Sequence, residues 1–569
     1  MALIDKASLL MVPSTYEAGK LYNVLPSGNR APDSTGENSG YDQTRADFDF
    51  DRGSNTAATR VNADGLIEKY RENLFTESNN FSDSDWTPKA GTFTQGVEDP
   101  NGGNTAWSWT ASNTDPYLYQ AIGTSGVFTL SIYAKGVGST IGKVLEFRNG
   151  STTQNFTLTS EWQRFELYAA AGGSNIGFEF GNPAVAGDVL HIYAAQWETG
   201  MVATEYLEST SVTGKAGVLI DLPRIDYSSG AGALLLEPSR INAYLHSDYL
   251  YNFNGDETFN HATSPEGVSN ATLLTKTSAS DQFINMAWTG TTIAASSDYT
   301  MSIFVKHNGD DVNVRYEYNN SNDWGGVAWT ALFEVRASGV TKSTAGNCTS
   351  DVEDYGNGWF RLKVFVTTGA SITASSPANL FRVIGASGET LLVYGAQMEK
   401  GSYSTSLIPT YGTGVTRAAD SCNGGGSAES INSTEGVLYA EISGLSTDPA
   451  RLSISDGTNN NNIYIELDSS NVNAVGRVGG SNQFALSSSQ TITNNNKVAI
   501  KYKANDFSLY INGTEVATDT SGNTYSANTL TSLQFNRGDG GVLFYGNVKQ
   551  VAVFNEALSD SELATLTTL

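Results

Sequence analysis

The residues able to do chemistry in this chain are 59 acids, four histidines and two cysteines, and none stands in a recognisable catalytic pattern. G-x-S-x-G, H-E-x-x-H and the Walker phosphate loop are all absent. "GVGSTIG" from Gly136 has the wrong glycine spacing for a dinucleotide loop and reads as a polar turn. "DFDFDRG", Asp47 to Gly53, begins like a calcium loop, but an EF-hand needs glycine at position six and a carboxylate at twelve. Those places hold Arg52 and Ala58. Its alternation predicts a strand instead, with Phe48 and Phe50 on one face and aspartates on the solvated one. His191, His246, His261 and His307 lack paired spacing, which points to surface or satisfied core roles. Cys348 and Cys422 form either one bridge or two free thiols. No metal site, cofactor or catalytic residue is therefore expected. A glycosidase needs two carboxylates at set spatial separations, which linear spacing in a β chain does not reveal.

Sugar binding asks for less: aromatic faces to cover the apolar faces of the rings, with Asn, Asp or Gln nearby for hydroxyls. Trp324, between Asn322-Asp323 and two glycines in "NNSNDWGGVAW", is the leading candidate, and its other reading is a lid folded back on its own domain. Trp107 with Trp109, and Tyr117 with Tyr119, are same-face pairs in "TAWSWTASNTDPYLYQ". They are glycan candidates too, although such pairs also suit a sandwich interior. Trp162 and Trp359 each precede an arginine by two positions, Arg164 and Arg361, a spacing that allows stacking on one strand face.

The elements that must carry these residues are strands. Charged residues are only 16%, glycines number 58, and helical signal is nearly confined to "NEALSDSELATLTTL", where Ser559 and Glu562 read as a capping box. "IYAAQWETGMVATEYLES" from Ile192 recurs as "VYGAQMEKGSYSTSLIPT" from Val393, an offset of 201. "VFTLSIYAKG" recurs at an offset of 171 and "EWQRFEL" at 197, so order is kept while loops lengthen. The expected fold is all-β, with two homologous jelly-roll β-sandwiches at 71–210 and 243–417. A segment at 211–242 is too apolar for a free linker, whereas 418–432 is Gly/Ser-rich and reads as flexible. A third unit of a different kind fills 433–569, with a hairpin at Asn512-Gly513. The formal charge of -26 disfavours nucleic acid and anionic membranes. The N-terminal apolar run, broken by Pro13, reads as neither a secretory signal nor a membrane span.

The ordered set "ASLLMVPSTYEAGKLYNVLP", "DFDFDRGSNTAATRVNADGLIEKYRENL", "LPRIDYSSGAGALLLEPSRIN" and "YGAQMEKGSYSTSLIPT" resembles structural proteins of tailed bacteriophages, particularly fibre-like appendages of marine phages. The repeated units resemble carbohydrate-binding-module jelly rolls. The terminal unit is similar to concanavalin A-like or laminin G-like lectin domains. In that family the "RIDY…LLLEP" joint often follows the N-terminal segment directly, whereas here a whole sandwich intervenes. The resemblance implies a homotrimeric head or tail fibre on the virion exterior, held to other virion proteins by residues 1–70 and adhering to host-surface glycans. A decoration or cement protein without external ligand is the alternative, and a polysaccharide depolymerase a further one.

Overall fold

The computed structural model describes residues 3–15, 48–123, 126–169, 175–181, 183–220, 222–284, 293–318, 328–371 and 381–569. Nearly all the regular secondary structure among the described residues is strand, and Asp560–Thr567 is the one α-helix among them. It divides into two compact units. One comprises Ile67–Leu219 with Ile241–Thr416, the other Met1–Leu66, Ile220–Arg240 and Arg417–Leu569.

The first of these units holds two antiparallel sandwiches of jelly-roll type. In the N-terminal one, one sheet runs in the order Gln163–Ala169, Phe128–Val137, Val189–Thr199, Ala106–Ala111, Gly91–Val97. Its partner sheet runs Thr152–Thr157, Val144–Asn149, Ile176–Phe180, Tyr117–Gln120, Thr87–Lys89. Trp86, Trp109 and Trp197 fill the space between. The second sandwich repeats this order with Trp359–Thr367, Asp298–His307, Thr390–Lys400, Ala271–Thr275 and Asp256–Ala262 in one sheet. It adds two consecutive strands, Gly339–Gly346 and Cys348–Asp354, each of which extends one of the two sheets. That insertion lies between the segments whose offset grows from 171 to 197.

The duplicated segment proves to be a latch. In each copy the last strand bulges, with Ala194 at φ 57° and Gly395 at φ 62°, against a register shift at Ser131/Tyr133 or Ser302/Phe304. A Cβ on Gly395 would stand 2.7 Å from the Phe304 ring, so the more crowded copy needs glycine. Beyond the bulge, Gln196 donates to Glu198 (2.6 Å) and accepts from the Leu207 N–H (2.7 Å), while Glu198 accepts the Thr204 N–H (2.8 Å). Gln397, Glu399, Ile408 and Thr405 repeat these bonds at 2.7, 2.7 and 2.8 Å. Asn73 donates to the Ala195 and Leu207 carbonyls and accepts from the Trp197 N–H, and Asn242 does the same for Ala396, Ile408 and Met398. All these side chains are buried, so their bonds satisfy backbone that water cannot reach.

Lys69 performs a similar task with charge. Its Nζ reaches Asp248 (2.9 Å), Glu266 (2.8 Å) and the Tyr411 hydroxyl (2.7 Å). Burial opposes the ammonium, but the two carboxylates outweigh it and push the Lys69 pKa well up. Lys69 and Ile67, whose N–H bonds Pro265 (2.9 Å), thus belong with the sandwiches, whereas the sequence reading placed them in an attachment segment.

The other unit is a third sandwich. Its larger sheet contains Ala233–Leu236, Gly546–Phe554, Glu435–Gly444, Asn496–Lys503, Asp506–Ile511 and Thr514–Asp519, and Leu9–Met11 pairs with Gly546–Phe554. The facing sheet runs Ser481–Ser489, Asn471–Val478, Asn462–Asp468, Ala450–Ser455, Ser532–Gln534. Asn512 (φ 50°) and Gly513 (φ 86°) make the expected two-residue turn, and Glu562 accepts the Ser559 N–H at 2.9 Å to cap the helix. Asp49–Asp51 is the strand its alternation predicts, with Phe48 and Phe50 buried and both aspartates exposed. The Gly/Ser-rich segment is a correction: Ser421–Asn423 pairs with Asp49–Asp51, and Cys422 and Ile431 lie in the core. A Cβ on Gly425 would stand 2.4 Å from the Phe48 ring. Glycine there signals close packing, where composition alone signals freedom. Cys348 and Cys422 are not joined in a disulfide.

Five buried charges join the distant segments of this unit. Arg224 bonds Asp420 and also Glu237 (2.7 Å), Arg417 bonds Glu237 (2.7 Å), and Arg52 reaches Asp420 at 3.5 Å. The Glu237 N–H donates to Asp420 (2.9 Å) and the Asp420 N–H to the Glu237 carbonyl (3.0 Å). Burial pulls Arg52 down to about 10 against the opposing pull of Asp420. Removing one partner strands the others in the interior. Asp420→Ala should therefore destabilise this unit by about 3–5 kcal/mol, read as a lowered calorimetric transition. Asn73→Ala and Asn242→Ala should each cost their own sandwich about 3 kcal/mol in the same measurement, from backbone groups left unbonded.

Candidate functional site

On the Tyr117–Gln120 strand, Leu118 and Gln120 turn inward and are buried, which leaves Tyr117 and Tyr119 half-buried on the opposite face. Their ring centroids are 5.4 Å apart with the planes at 38°. Gly177 on the neighbouring strand lies opposite Tyr119. A Cβ there would fall 2.1 Å from the Leu118 carbonyl oxygen and 2.7 Å from the Tyr119 Cα, so only glycine lets the two strands lie this close. Next across the sheet, Arg148 sits opposite Gly177, and its Nη2 bridges Glu146 (3.0 Å) and Glu179 (3.3 Å). At the other side Lys89 pairs with Asp115 and lies 4.9 Å from the Tyr117 ring centre. Asp115, Tyr117, Tyr119, Arg148, Gly177 and Glu179 enclose a cleft of about 350 Å³.

This is a half-open shelf of two tyrosine rings rimmed by carboxylates and one guanidinium. Two ring faces can cover the C–H face of a flat ligand, while Arg148, Asp115 and Glu179 bond hydroxyls at its edge. Burial first, and then the facing Glu146, raise the Glu179 pKa above the ordinary carboxylate range, with Arg148 opposing. A larger groove of about 690 Å³ in the second sandwich is lined by Asp298, Tyr299, Asn347, Cys348, Phe365 and Ser402 among others. Tyr299 is buried there, and its hydroxyl accepts the Ala294 N–H (2.9 Å), so no matching pair of ring faces is presented. Among the described residues no cluster of His, Cys, Asp and Glu could hold a metal ion.

The structure divides the residues that the sequence nominated. Tyr117 and Tyr119 form the shelf. Trp107 and Trp109 do not join them: both turn into the core, with Trp107 donating to the Asn79 carbonyl (2.8 Å) and Trp109 stacked on Phe93 at 5.4 Å. The pairs sit on strands of opposite sheets, and spacing two cannot say which face of each strand is the inner one. Trp324, Asn322 and Asp323 lie outside the described residues. Arg164 and Arg361 stack on their cross-strand neighbours Tyr133 (5.5 Å) and Phe304 (5.3 Å), where sequence spacing suggested Trp162 and Trp359. Sequence reasoning missed Arg148, Glu146, Glu179 and Gly177. "EFRN" does place Glu146 and Arg148 on one strand face, but nothing local links them to residues some thirty positions away.

Residues 441–564 match the concanavalin A-like lectin/glucanases superfamily, so the C-terminal sandwich is a concanavalin A-like domain. No curated protein matches the chain. Among solved structures, the Ruminococcus gnavus IT-sialidase CBM40 is similar at 20% identity, covering 24% of this chain and 83% of its own, with a TM-score of 0.22. The CBM22-1-CBM22-2 tandem of Paenibacillus barcinonensis Xyn10C is similar at 11% identity, covering 61% and 100%, with a TM-score of 0.22. Mouse laminin alpha1 LG4-5 is similar at 8% identity over 50% and 93%, with a TM-score of 0.17. Likenesses this low carry no functional weight.

The raised Glu179 pKa has a readable sign. Its folded form holds a proton that the unfolded form has already released, so its contribution is favourable at low pH and is lost as pH rises through the shifted value. Glu179→Gln should therefore match the native chain in thermal unfolding near pH 4. At pH 7 it should melt higher, and an unchanged difference across that range would contradict the assignment.

Proposed function

We propose that this chain is a non-catalytic glycan-binding protein, and that it serves as a head or tail fibre subunit of a tailed phage. The Tyr117–Tyr119 shelf is the observation that carries the binding reading: two outward rings over a strand pair brought close at Gly177, flanked by Arg148, Glu179 and Asp115. The concanavalin A-like domain at the C-terminus supports a lectin-like protein. The jelly-roll topology of the two repeated sandwiches, of the kind found in carbohydrate-binding modules, supports it as well. The ordered motifs "LPRIDY", "LLLEPSRIN" and "DFDFDRG" support the phage assignment. In this reading the protein assembles as a homotrimer on the particle exterior, docks to other virion proteins, and presents the sandwiches to host-surface sugars.

The test is retention of the purified full chain on immobilised host-surface polysaccharides. Tyr117→Ala and Tyr119→Ala should each weaken binding by roughly tenfold with an unchanged melting temperature, because both rings are outward and neither closes the core. Undiminished retention in the double variant would refute the shelf as the site. Absence of retention on any host polysaccharide would favour a decoration protein, and release of oligosaccharide during the incubation would favour a depolymerase.

A further inference from the structure

The internal repeat shows what an uncovered edge lacks. In the second sandwich the edge of the Trp359–Thr367 strand is covered by Cys348–Asp354, an antiparallel pairing that runs from Cys348↔Val366 to Asp354↔Phe360. The covering strand sets Val352 against Leu362 on the inner side and Asp351 opposite Lys363 on the outer side. Lys363 bonds Glu353 at 2.8 Å and Asp351 at 3.6 Å. Under this cover Leu362 is fully buried and Arg361 is 3% exposed.

The equivalent strand of the first sandwich, Gln163–Ala169, pairs only with Phe128–Val137 among the described residues. The two inserted strands have no counterpart here, because the chain passes from Thr152–Thr157 almost directly into it. Phe165, at the place of Leu362, is only half-buried, and Arg164 likewise. Tyr168, at the place of Phe365, is 43% exposed. An edge with no strand partner among the described residues, flanked by the half-buried Phe165 and the exposed Tyr168, invites another strand, and natural proteins usually blunt such edges. Charge identifies what fits. Where the second sandwich has Lys363 and acids facing it, the first has Glu166, exposed and held by the Ala203 N–H at 3.0 Å.

We propose that the Gln163–Ala169 edge is a docking site for an extended peptide segment of another protein. That segment would add antiparallel, with a Lys or Arg opposite Glu166 and apolar residues on either side of it, against Phe165 and Leu167. A second copy of this same strand fits poorly. Two-fold pairing centred on the strand would bring Glu166 against its own counterpart, and directly opposed like charges destabilise a sheet. The docking site is independent of the tyrosine shelf, which lies on the other sheet of the sandwich.

The test uses the full chain and fluorescently labelled acetyl octapeptides that alternate Val and Thr, with Lys, Glu or Ser replacing one central Thr. Anisotropy titrations should rank Lys above Ser above Glu, with roughly fivefold between the extremes, the range of one cross-strand charge pair. Glu166→Lys should invert that order, and N-methylation of alternate peptide amides should abolish binding. Equal affinities, no inversion, or no binding up to millimolar peptide would overturn the proposal. So would a change in the oligomeric state of Glu166→Lys by sedimentation, which would assign the edge to copies of this chain.

Discussion

The structure depends on one constraint: polar groups carried into the interior must be bonded there, and in this protein the partners come from far along the chain. Asn73 and Asn242 each close a bulged final strand, bonding residues more than a hundred positions away. An unbonded amide or carbonyl in such a place costs about 1–3 kcal/mol, comparable to the burial of a large apolar side chain. The latch therefore holds the bulge, and the bulge sets where the exit segment crosses the sheet. Thr204 and Thr405 are placed by the same Gln–Glu pair, and their carbonyls receive Arg164 and Arg361.

The same constraint organises the third sandwich through charge. Arg52, Arg224, Glu237, Arg417 and Asp420 come from three separate stretches, and each is nearly or wholly excluded from water. A buried ion network contributes little net stability compared with an apolar core of equal volume, but it tolerates no missing member. The network joins four short motifs far apart in the chain, "DFDFDRG", "LPRIDY", "LLLEP" and "TRAADSC". Each supplies one or two members of the network. Beside such rigid interiors, the tyrosine shelf and the Gln163–Ala169 edge stand out because their polar groups and rings face solvent.

Much of the architecture was legible in the residues. Period-two alternation marked strands such as Asp49–Asp51, Asn512-Gly513 marked a turn, and constant order with growing offsets marked a repeated sandwich whose loops lengthen. These signals are local or self-comparing, so they survive without knowledge of the fold. The role of the Gly/Ser-rich segment was not legible. Gly425 is required by the Phe48 ring, a neighbour nearly four hundred positions away, and composition cannot distinguish a glycine that frees the chain from one that admits a ring.

The sequence by itself determined that the protein is built of β-sandwiches, that one is duplicated, and that aromatic pairs are available on its strands. Only the tertiary structure decided which pairs face water. Trp107 with Trp109 and Tyr117 with Tyr119 share the same spacing, yet the first pair packs the core and the second forms a surface. The reason is physical: alternation places two residues on one face of a strand, but which face is inside depends on the sheet that lies across from it.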